Sequence, residues 1–189
     1  VTLDGESLPL SDLFWVIATQ NSLEFEGTYP LPEAQLDRFL FKLIVDYPDA
    51  IAERQMLINS EAAAPIRRLD LAKLKPVASV NRCLRARQEV KTVKVKEGIF
   101  DYLLALVQRT RQHPDLALGA SPRAAVSWLL ASKAQAWLDQ RDFVTPDDIK
   151  AIAPPLLRHR LILRPEAQLD GLQIDAVINA ILAQVAVPR

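Results

Sequence analysis

Apolar residues recur at helical spacing through most of the second half of the chain. Intervals of three and four residues predict helices with one buried face. Such stripes occupy positions 80–84, 99–107, 149–157 and 174–185. From Arg123 to about Leu138 apolar side chains cover most sides, so this helix is expected to be the hub of its domain.

Two helix starts carry capping signals. Ser121 precedes Pro122, which places a capping hydroxyl before a proline at the first helical position. Thr145 is followed three residues later by Asp148, the spacing of a capping box. Near the start of the chain, Pro48-Asp49 opens a further predicted helix that runs to about Asn59.

The first 47 residues show a different pattern. Phe14–Ala18 and Phe39–Val45 are short apolar runs, which favour two buried strands joined by a loop and a short helix over Glu33–Arg38. Asp4-Gly5 suits the turn of a small hairpin. Asn21 stands just after the first strand, at the sheet edge where α/β proteins bind ligands.

These patterns predict a fold that is mainly α with a small β part. The first domain, 1–47, contains a hairpin and two strands as a remnant of an α/β core. The second, 48–189, is an all-α domain with a connector near 60–76, where the apolar periodicity weakens.

Composition narrows the class of protein. The 189 residues have a formal net charge of zero, which argues against binding of nucleic acid through electrostatic attraction to its phosphates. No apolar run reaches the roughly 20 residues that span a bilayer. The single cysteine, Cys83, cannot form an internal disulfide. The sequence is therefore expected to belong to a soluble cytoplasmic protein.

Two long strings resemble the MoxR branch of the AAA+ ATPases. They are Ile17–Asn21 and Glu26–Phe39, almost letter for letter. Later segments are similar to the helical lid of the same family: Thr110-Arg111, Gly119–Ala124, Val144–Ile149 and Leu157–Arg160. Ser22 departs from the proline that the family usually has after the asparagine. The likeness covers nearly the whole chain.

The resemblance implies roles for three residues. Asn21 stands at the sensor 1 position, which orients the attacking water. Arg38 stands at the arginine finger, which is offered to the nucleotide of the next subunit. Arg123 stands at sensor 2, which reaches the γ-phosphate in its own subunit, and its place at a helix start independently favours an anion.

The family likeness also implies ATP and Mg²⁺ as ligands and a ring of identical subunits, a hexamer by analogy with the family. It implies chaperone-like maturation of partner complexes, often with proteins that carry a von Willebrand A-type domain. The sequence contains no G-x-x-x-x-G-K-[ST] loop and no acidic metal-binding strand end. We therefore expect a C-terminal portion that needs a missing N-terminal half of the same polypeptide and is inactive alone.

Each role has a plainer alternative. Asn21 could cap a turn. Arg38 could pair with Asp37 or Glu33 on its own short helix. Arg123 could be a solvated side chain. Taken together, these alternatives describe a helical protein-interaction module without nucleotide chemistry.

The sequence leaves the roles of five further charged residues open. Glu24 and Glu26 could hold a metal, meet a neighbouring arginine or be solvated loop charges. Arg111, Arg158 and Arg160 could face nucleotide or the adjacent subunit, but carboxylate partners and carbonyls at helix ends are the first expectation.

Overall fold

The computed structural model describes residues 1–3, 5–20, 31–62 and 75–188. Within them the chain forms eight helices and four short strands. The helices are α1 Glu33–Leu36, α2 Ala50–Ala62, α3 Val80–Thr92, α4 Glu97–Gln112, α5 Pro122–Leu138, α6 Pro146–Leu157, α7 Pro165–Leu169 and α8 Ile174–Gln184. The strands are β1 Thr2–Leu3, β2 Glu6–Ser7, β3 Leu116–Leu118 and β4 Ile162–Leu163.

The predicted hairpin near the start of the chain is present. β1 pairs antiparallel with β2, so that Thr2 lies opposite Ser7. Gly5 turns the chain with a φ of 87°, a left-handed conformation that residues with a Cβ rarely adopt.

The predicted helix caps are confirmed. The Ser121 hydroxyl accepts a hydrogen bond from the backbone N–H of Ala124 at 3.0 Å and starts α5. At the start of α6, the Thr145 hydroxyl accepts from the Asp148 N–H, and the Asp148 carboxylate accepts from the Thr145 N–H at 2.7 Å. Both helices therefore begin at positions fixed by local side-chain chemistry.

The core lies mainly among α4, α5, α6 and α8, and α5 is its hub as predicted. α5 packs against α3, α4 and α6, while α8 packs on α4 and α6. Trp128 of α5 is fully buried and donates its indole N–H to the Ile149 carbonyl of α6 at 2.7 Å. Other large side chains that are fully buried are Leu106, Val107, Ile149, Leu156, Leu157 and Ile178.

A small sheet supplements the helices. β3 and β4 pair antiparallel, with Leu116 opposite Leu163. Lys94 and Phe143 form one isolated parallel bridge. The helical domain thus includes a two-stranded ribbon besides its helices. No helix in the described ranges combines the length and apolarity that crossing a membrane requires.

The mainly α fold class is confirmed, but the two strands predicted for the first domain are not formed. Within the described residues, Phe14–Ala18 has no strand partner and its large side chains are exposed. An apolar run becomes a strand by pairing with a neighbour, and the pattern alone does not supply one. The division into domains 1–47 and 48–189 stays a prediction, and most of the connector near 60–76 lies outside the described residues.

The second predicted strand, Phe39–Val45, is corrected for a different reason. Backbone groups of Phe39, Leu40 and Lys42 are bound at the end of α6 or just after it. The Lys42 N–H donates to the Pro155 carbonyl at 2.8 Å, and the Leu40 carbonyl accepts from Arg160 at 2.9 Å. Hydrogen bonds that a ladder would use are therefore taken by the helical domain.

Candidate functional site

The loop before α5 is fastened to the end of α4. The buried Thr110 hydroxyl accepts the Ala120 N–H at 2.9 Å, and Arg111 Nε donates to the Ala120 carbonyl at 2.8 Å. Gly119 permits this approach, because a Cβ at that position would lie 2.6 Å from Arg111 Cα. Both polar groups of Ala120 are thus satisfied, which fixes where α5 begins.

Ser121 also contacts Asp37, in the segment after α1. We call the contacts that Ser121 and Arg160 make with this segment the junction. Its hydroxyl donates to the Asp37 carboxylate, with distances of 3.1 and 3.3 Å to the two oxygens. The same oxygen accepts from Ala124, so one hydroxyl links the start of α5 to residue 37 while it caps the helix. Asp37 itself follows α1 directly.

Arg160 completes the junction from the end of α6. Its Nε donates to Asp37 Oδ1 at 2.9 Å, and its guanidinium also donates to the carbonyls of Asp37, Phe39, Leu40 and Leu156. The Arg160 side chain is 2% exposed and the Asp37 side chain 25%. A buried charge with all these acceptors is well paired, whereas removal of its carboxylate would leave it poorly compensated.

Burial and neighbouring charges shift the pKa of Arg160 in opposite directions. Burial lowers the pKa of Arg160, the carboxylate of Asp37 opposes that effect, and the positive charge of Arg123 lowers the pKa further. The guanidinium stays protonated in any case.

His159 adds a second link to the same segment. Its Nε2 donates to the Phe39 carbonyl at 2.9 Å, and its Nδ1 is buried with no partner among the described residues. Burial lowers the pKa of His159, and the positive charges of Arg160 and Lys42 lower it too, against the opposing effects of the Phe39 carbonyl and Asp37. The neutral ring is therefore the form that the fold favours.

The depressed pKa of His159 predicts a loss of stability in acid. As the pH falls below the ordinary histidine value of 6.5, the unfolded chain takes up the proton first, so the free energy of unfolding decreases. Urea unfolding from about pH 7 to about pH 5 should show a smaller decrease for His159→Gln than for the wild type. Equal decreases in the two proteins would contradict the assignment.

Arg123 lies at the second position of α5, where the sequence predicted it. Its side chain is exposed. A backbone N–H at this position has no acceptor within its own helix, so the helix start offers an orphan donor beside a positive side chain. This combination can bind a phosphate group.

Arg38 is also exposed, directly after Asp37. Its predicted alternative partner on the same short helix, Asp37, is instead bound by Ser121 and Arg160. A cleft of about 450 Å³ lies beside this junction and is lined by residues of the α1 segment, of the loop before α5 and of the segment after α6. The structure therefore brings the neighbourhoods of Arg38 and Arg123 together, while the roles of the two arginines stay predictions.

The other sequence candidates fall into two groups. Asn21, Glu24 and Glu26 lie outside the described residues. Arg158 Nε binds the Asp175 carboxylate at 2.8 Å, as expected, whereas Arg111 binds the Ala120 carbonyl in the loop before α5 and not a carbonyl at a helix end. Arg160 binds carbonyls and a carboxylate, as described above.

Sequence reasoning missed the linking role of Asp37 and Ser121. Ser121 was recognised as a helix cap, and Asp37 as a possible surface partner of Arg38. Their contact joins residues 84 positions apart, and Asp37 meets Arg160 across 123 positions. The available signal was the run Arg158-His159-Arg160, whose charges follow an apolar helix that ends in the core.

The described residues fit a nucleotide phosphate better than they fit a metal ion. Arg123 and the start of α5 supply positive charge and an orphan donor, which suit an anion. Among the same residues there is no group of three His, Cys, Asp or Glu side chains that could hold a metal. We therefore assign no metal ligand to any described residue.

Two family models match the chain. The model described as the ATPase family associated with various cellular activities (AAA) matches residues 1–41, and the AAA lid domain matches residues 108–181. The first match contains Arg38, and the second contains Ser121, Arg123 and Arg160. The junction described above thus joins parts of the chain that match two different models.

Individual relatives agree with these models. The uncharacterized protein YeaC of Bacillus subtilis is 45% identical over the whole chain, and Chaperone MoxR1 of Mycobacterium tuberculosis is 36% identical. A crystal structure from Cytophaga hutchinsonii, described as a "putative ATPase", superposes with a TM-score of 0.87 at 34% identity and covers all of this chain. The chain spans 57%, 51% and 58% of these three proteins, about half their length.

Proposed function

Because the chain belongs to the MoxR family of AAA+ ATPases, we propose that it forms the sensor and lid part of a protein that binds and hydrolyses ATP. The observation that carries this proposal is the exposed Arg123 at the second position of a capped helix, directly after Ser121 and Pro122, which line the cleft. A γ-phosphate there would meet the Arg123 guanidinium and the orphan backbone N–H of the same residue, both of which favour an anion.

In this proposal Arg38 acts on the nucleotide of an adjoining subunit. Its guanidinium would stabilise the charge that develops as the γ-phosphoryl group leaves. Exposure of Arg38 supports a contact in trans, since the side chain is accessible to a neighbour. A ring of identical subunits provides such neighbours, and Asn21 would orient the attacking water.

Magnesium supplies charge neutralisation on the β- and γ-phosphate oxygens in this class of reaction. Its protein ligands are assigned to no described residue of the chain. The 189 residues contain no phosphate-cradling G-x-x-x-x-G-K-[ST] loop, so we propose that they do not turn over ATP by themselves.

The proposed cellular role is chaperone-like. Chaperone MoxR1 is named for such a role, and we propose that this protein likewise uses ATP to mature or activate partner complexes. Proteins with a von Willebrand A-type domain are the proposed partners. Co-purification of such a protein with the full-length polypeptide in an ATP-dependent manner would support this part of the proposal.

The role of Arg123 can be tested by substitution in the full-length polypeptide. We expect Arg123→Ala to weaken ATP binding about 10- to 100-fold, since hydrogen bonds to charged groups contribute about 1.5–3 kcal/mol. Arg123→Lys should bind with an intermediate Kd because it keeps the charge and loses the planar fork. Binding of ATP is measured by calorimetry. ADP, which lacks the γ-phosphate, serves as the comparison nucleotide.

The matched control is Arg85→Ala. Arg85 is also a helical arginine, but its side chain is 82% exposed and pairs with Glu89 on its own helix. It should bind ATP as the wild type does. If the wild-type polypeptide binds no ATP, the rival proposal of a helical protein-interaction module is favoured. If Arg123→Ala leaves the Kd for ATP unchanged, the proposed contact of Arg123 with the phosphate is wrong.

A further inference from the structure

The segment that carries Arg38 is held on both sides by the helical domain. Before it, the Asp37 carboxylate accepts hydrogen bonds from Ser121 and Arg160. After it, the carbonyls of Phe39 and Leu40 accept from His159 and Arg160. Arg38 itself stays exposed at the centre of this fastened segment.

The helix that carries Arg123 is bound to the same cluster. Ser121 caps α5, and Arg123 lies two residues further on. The serine hydroxyl donates to Asp37, one residue before Arg38. A displacement of the start of α5 would therefore act through one hydrogen bond on the backbone next to Arg38.

We infer that Asp37, Ser121 and Arg160 form a positioning cluster that couples the nucleotide in one subunit to hydrolysis in the next. This inference rests on the proposed function. Arg123 engages the γ-phosphate of its own subunit and fixes the start of α5. Ser121 then holds Asp37, which sets Arg38 in the position from which it serves the neighbour.

The physical basis is one shared structural element that both sites bias. Coupling between two sites requires an element whose equilibrium both sites bias. Here the contact is a hydrogen bond of 3.1 Å from a hydroxyl to a carboxylate, and an arginine that is 2% exposed binds the same carboxylate. The hydrogen bonds of Arg160 hold the segment that carries Arg38, so the position of this segment depends on the chain just after α6, to which Arg160 belongs.

The cluster predicts positive cooperativity in the full-length ring. ATP turnover plotted against ATP concentration should give a Hill coefficient above 1 for the wild type. Ser121→Ala removes the link to Asp37 and should lower the Hill coefficient to about 1. Its kcat should change by less than about fivefold, because Arg160 still holds the segment.

Two variants separate coupling from helix capping. Ser121→Thr keeps a hydroxyl for both Asp37 and Ala124 and should restore the cooperativity of the wild type. Ser79→Ala removes an equivalent cap from α3, where Ser79 accepts from the Arg82 N–H at 3.3 Å, and should leave the Hill coefficient unchanged.

Each result decides between the possibilities. Hyperbolic turnover by the wild type, unchanged cooperativity in Ser121→Ala, abolished turnover in Ser121→Ala, or an equal loss in Ser79→Ala would overturn the inference while the ATPase assignment stands. A wild-type polypeptide that turns over no ATP would instead reject the proposed function, and the inference with it.

Discussion

Substitution of Arg38 by alanine in the full-length polypeptide should abolish almost all ATP turnover while ATP binding stays close to that of the wild type. Arginine fingers contribute about 10³- to 10⁵-fold to kcat in phosphoryl transfer. Arg38 is exposed, so its removal should disturb the fold little. The measurement is steady-state hydrolysis at saturating ATP, with Kd determined separately.

Arg38→Lys refines this expectation. Lysine keeps the charge but presents a single ammonium in place of the planar fork that matches phosphate oxygens. We expect its kcat to lie between those of Arg38→Ala and the wild type. A kcat near that of the wild type in Arg38→Ala would show that the residue is a solvated surface charge, as the rival reading holds.

Mixed rings test whether Arg38 acts in trans. An Arg38→Ala subunit keeps its own nucleotide site, and an Arg123→Ala subunit keeps its finger. When the two are mixed at an ATP concentration too low for Arg123→Ala alone, active sites should form where an intact finger faces an intact site. Absence of complementation in rings shown to contain both subunits would contradict action in trans.

Local chemistry accounts for what the sequence predicted well. The capping box of Thr145 and Asp148, the cap at Ser121 and the turn at Gly5 each depend on residues within four positions of one another. The helical stripes likewise need only a spacing of three and four residues. Features of this kind are specified by short segments, so the sequence determines them directly.

Long-range pairing accounts for what the sequence did not predict. Phe14–Ala18 and Phe39–Val45 have the composition of buried strands, but a strand also requires a partner along its edge. The pairing of β3 with β4 is not predicted either, because nothing in the local pattern specifies which segment pairs with which. The contact between Asp37 and Arg160 is missed for the same reason.

Burial of charge is the second limit. An arginine after an apolar helix usually lies in solvent, yet Arg160 is buried because carbonyls from another segment surround it. The hub helix shows the opposite case: its apolar residues cover most sides, but Val126 and Leu130 are more than half exposed. Sequence periodicity gives the faces of a helix, and tertiary packing decides which of them is covered.

The largest expected effect on stability is that of Trp128→Ala. The Trp128 side chain is 0% exposed and lies between α5 and α6, the helix pair in most extensive contact. Truncation of a buried Trp to Ala typically lowers the free energy of unfolding by about 3–5 kcal/mol, because the cavity collapses only in part. That is a large fraction of the free energy of unfolding of an ordinary domain, which is about 5–15 kcal/mol.

Two variants separate the packing of Trp128 from its hydrogen bond. Trp128→Phe keeps most of the ring volume and loses the indole N–H that Ile149 accepts, so we expect a loss of about 1–2 kcal/mol. Leu138→Ala, on the same helix at 66% exposure, should change stability by about 0.5 kcal/mol or less. The free energies of unfolding follow from urea titrations of the 189-residue chain.

The order of these three variants tests the position of the core. Burial predicts that Trp128→Ala is the least stable, followed by Trp128→Phe and then Leu138→Ala. Because α5 also carries Ser121 and Arg123 at its start, loss of its packing on α6 should loosen the junction with Asp37 as well. If Trp128→Ala and Leu138→Ala unfold at the same urea concentration, α5 is not the hub around which the other helices pack.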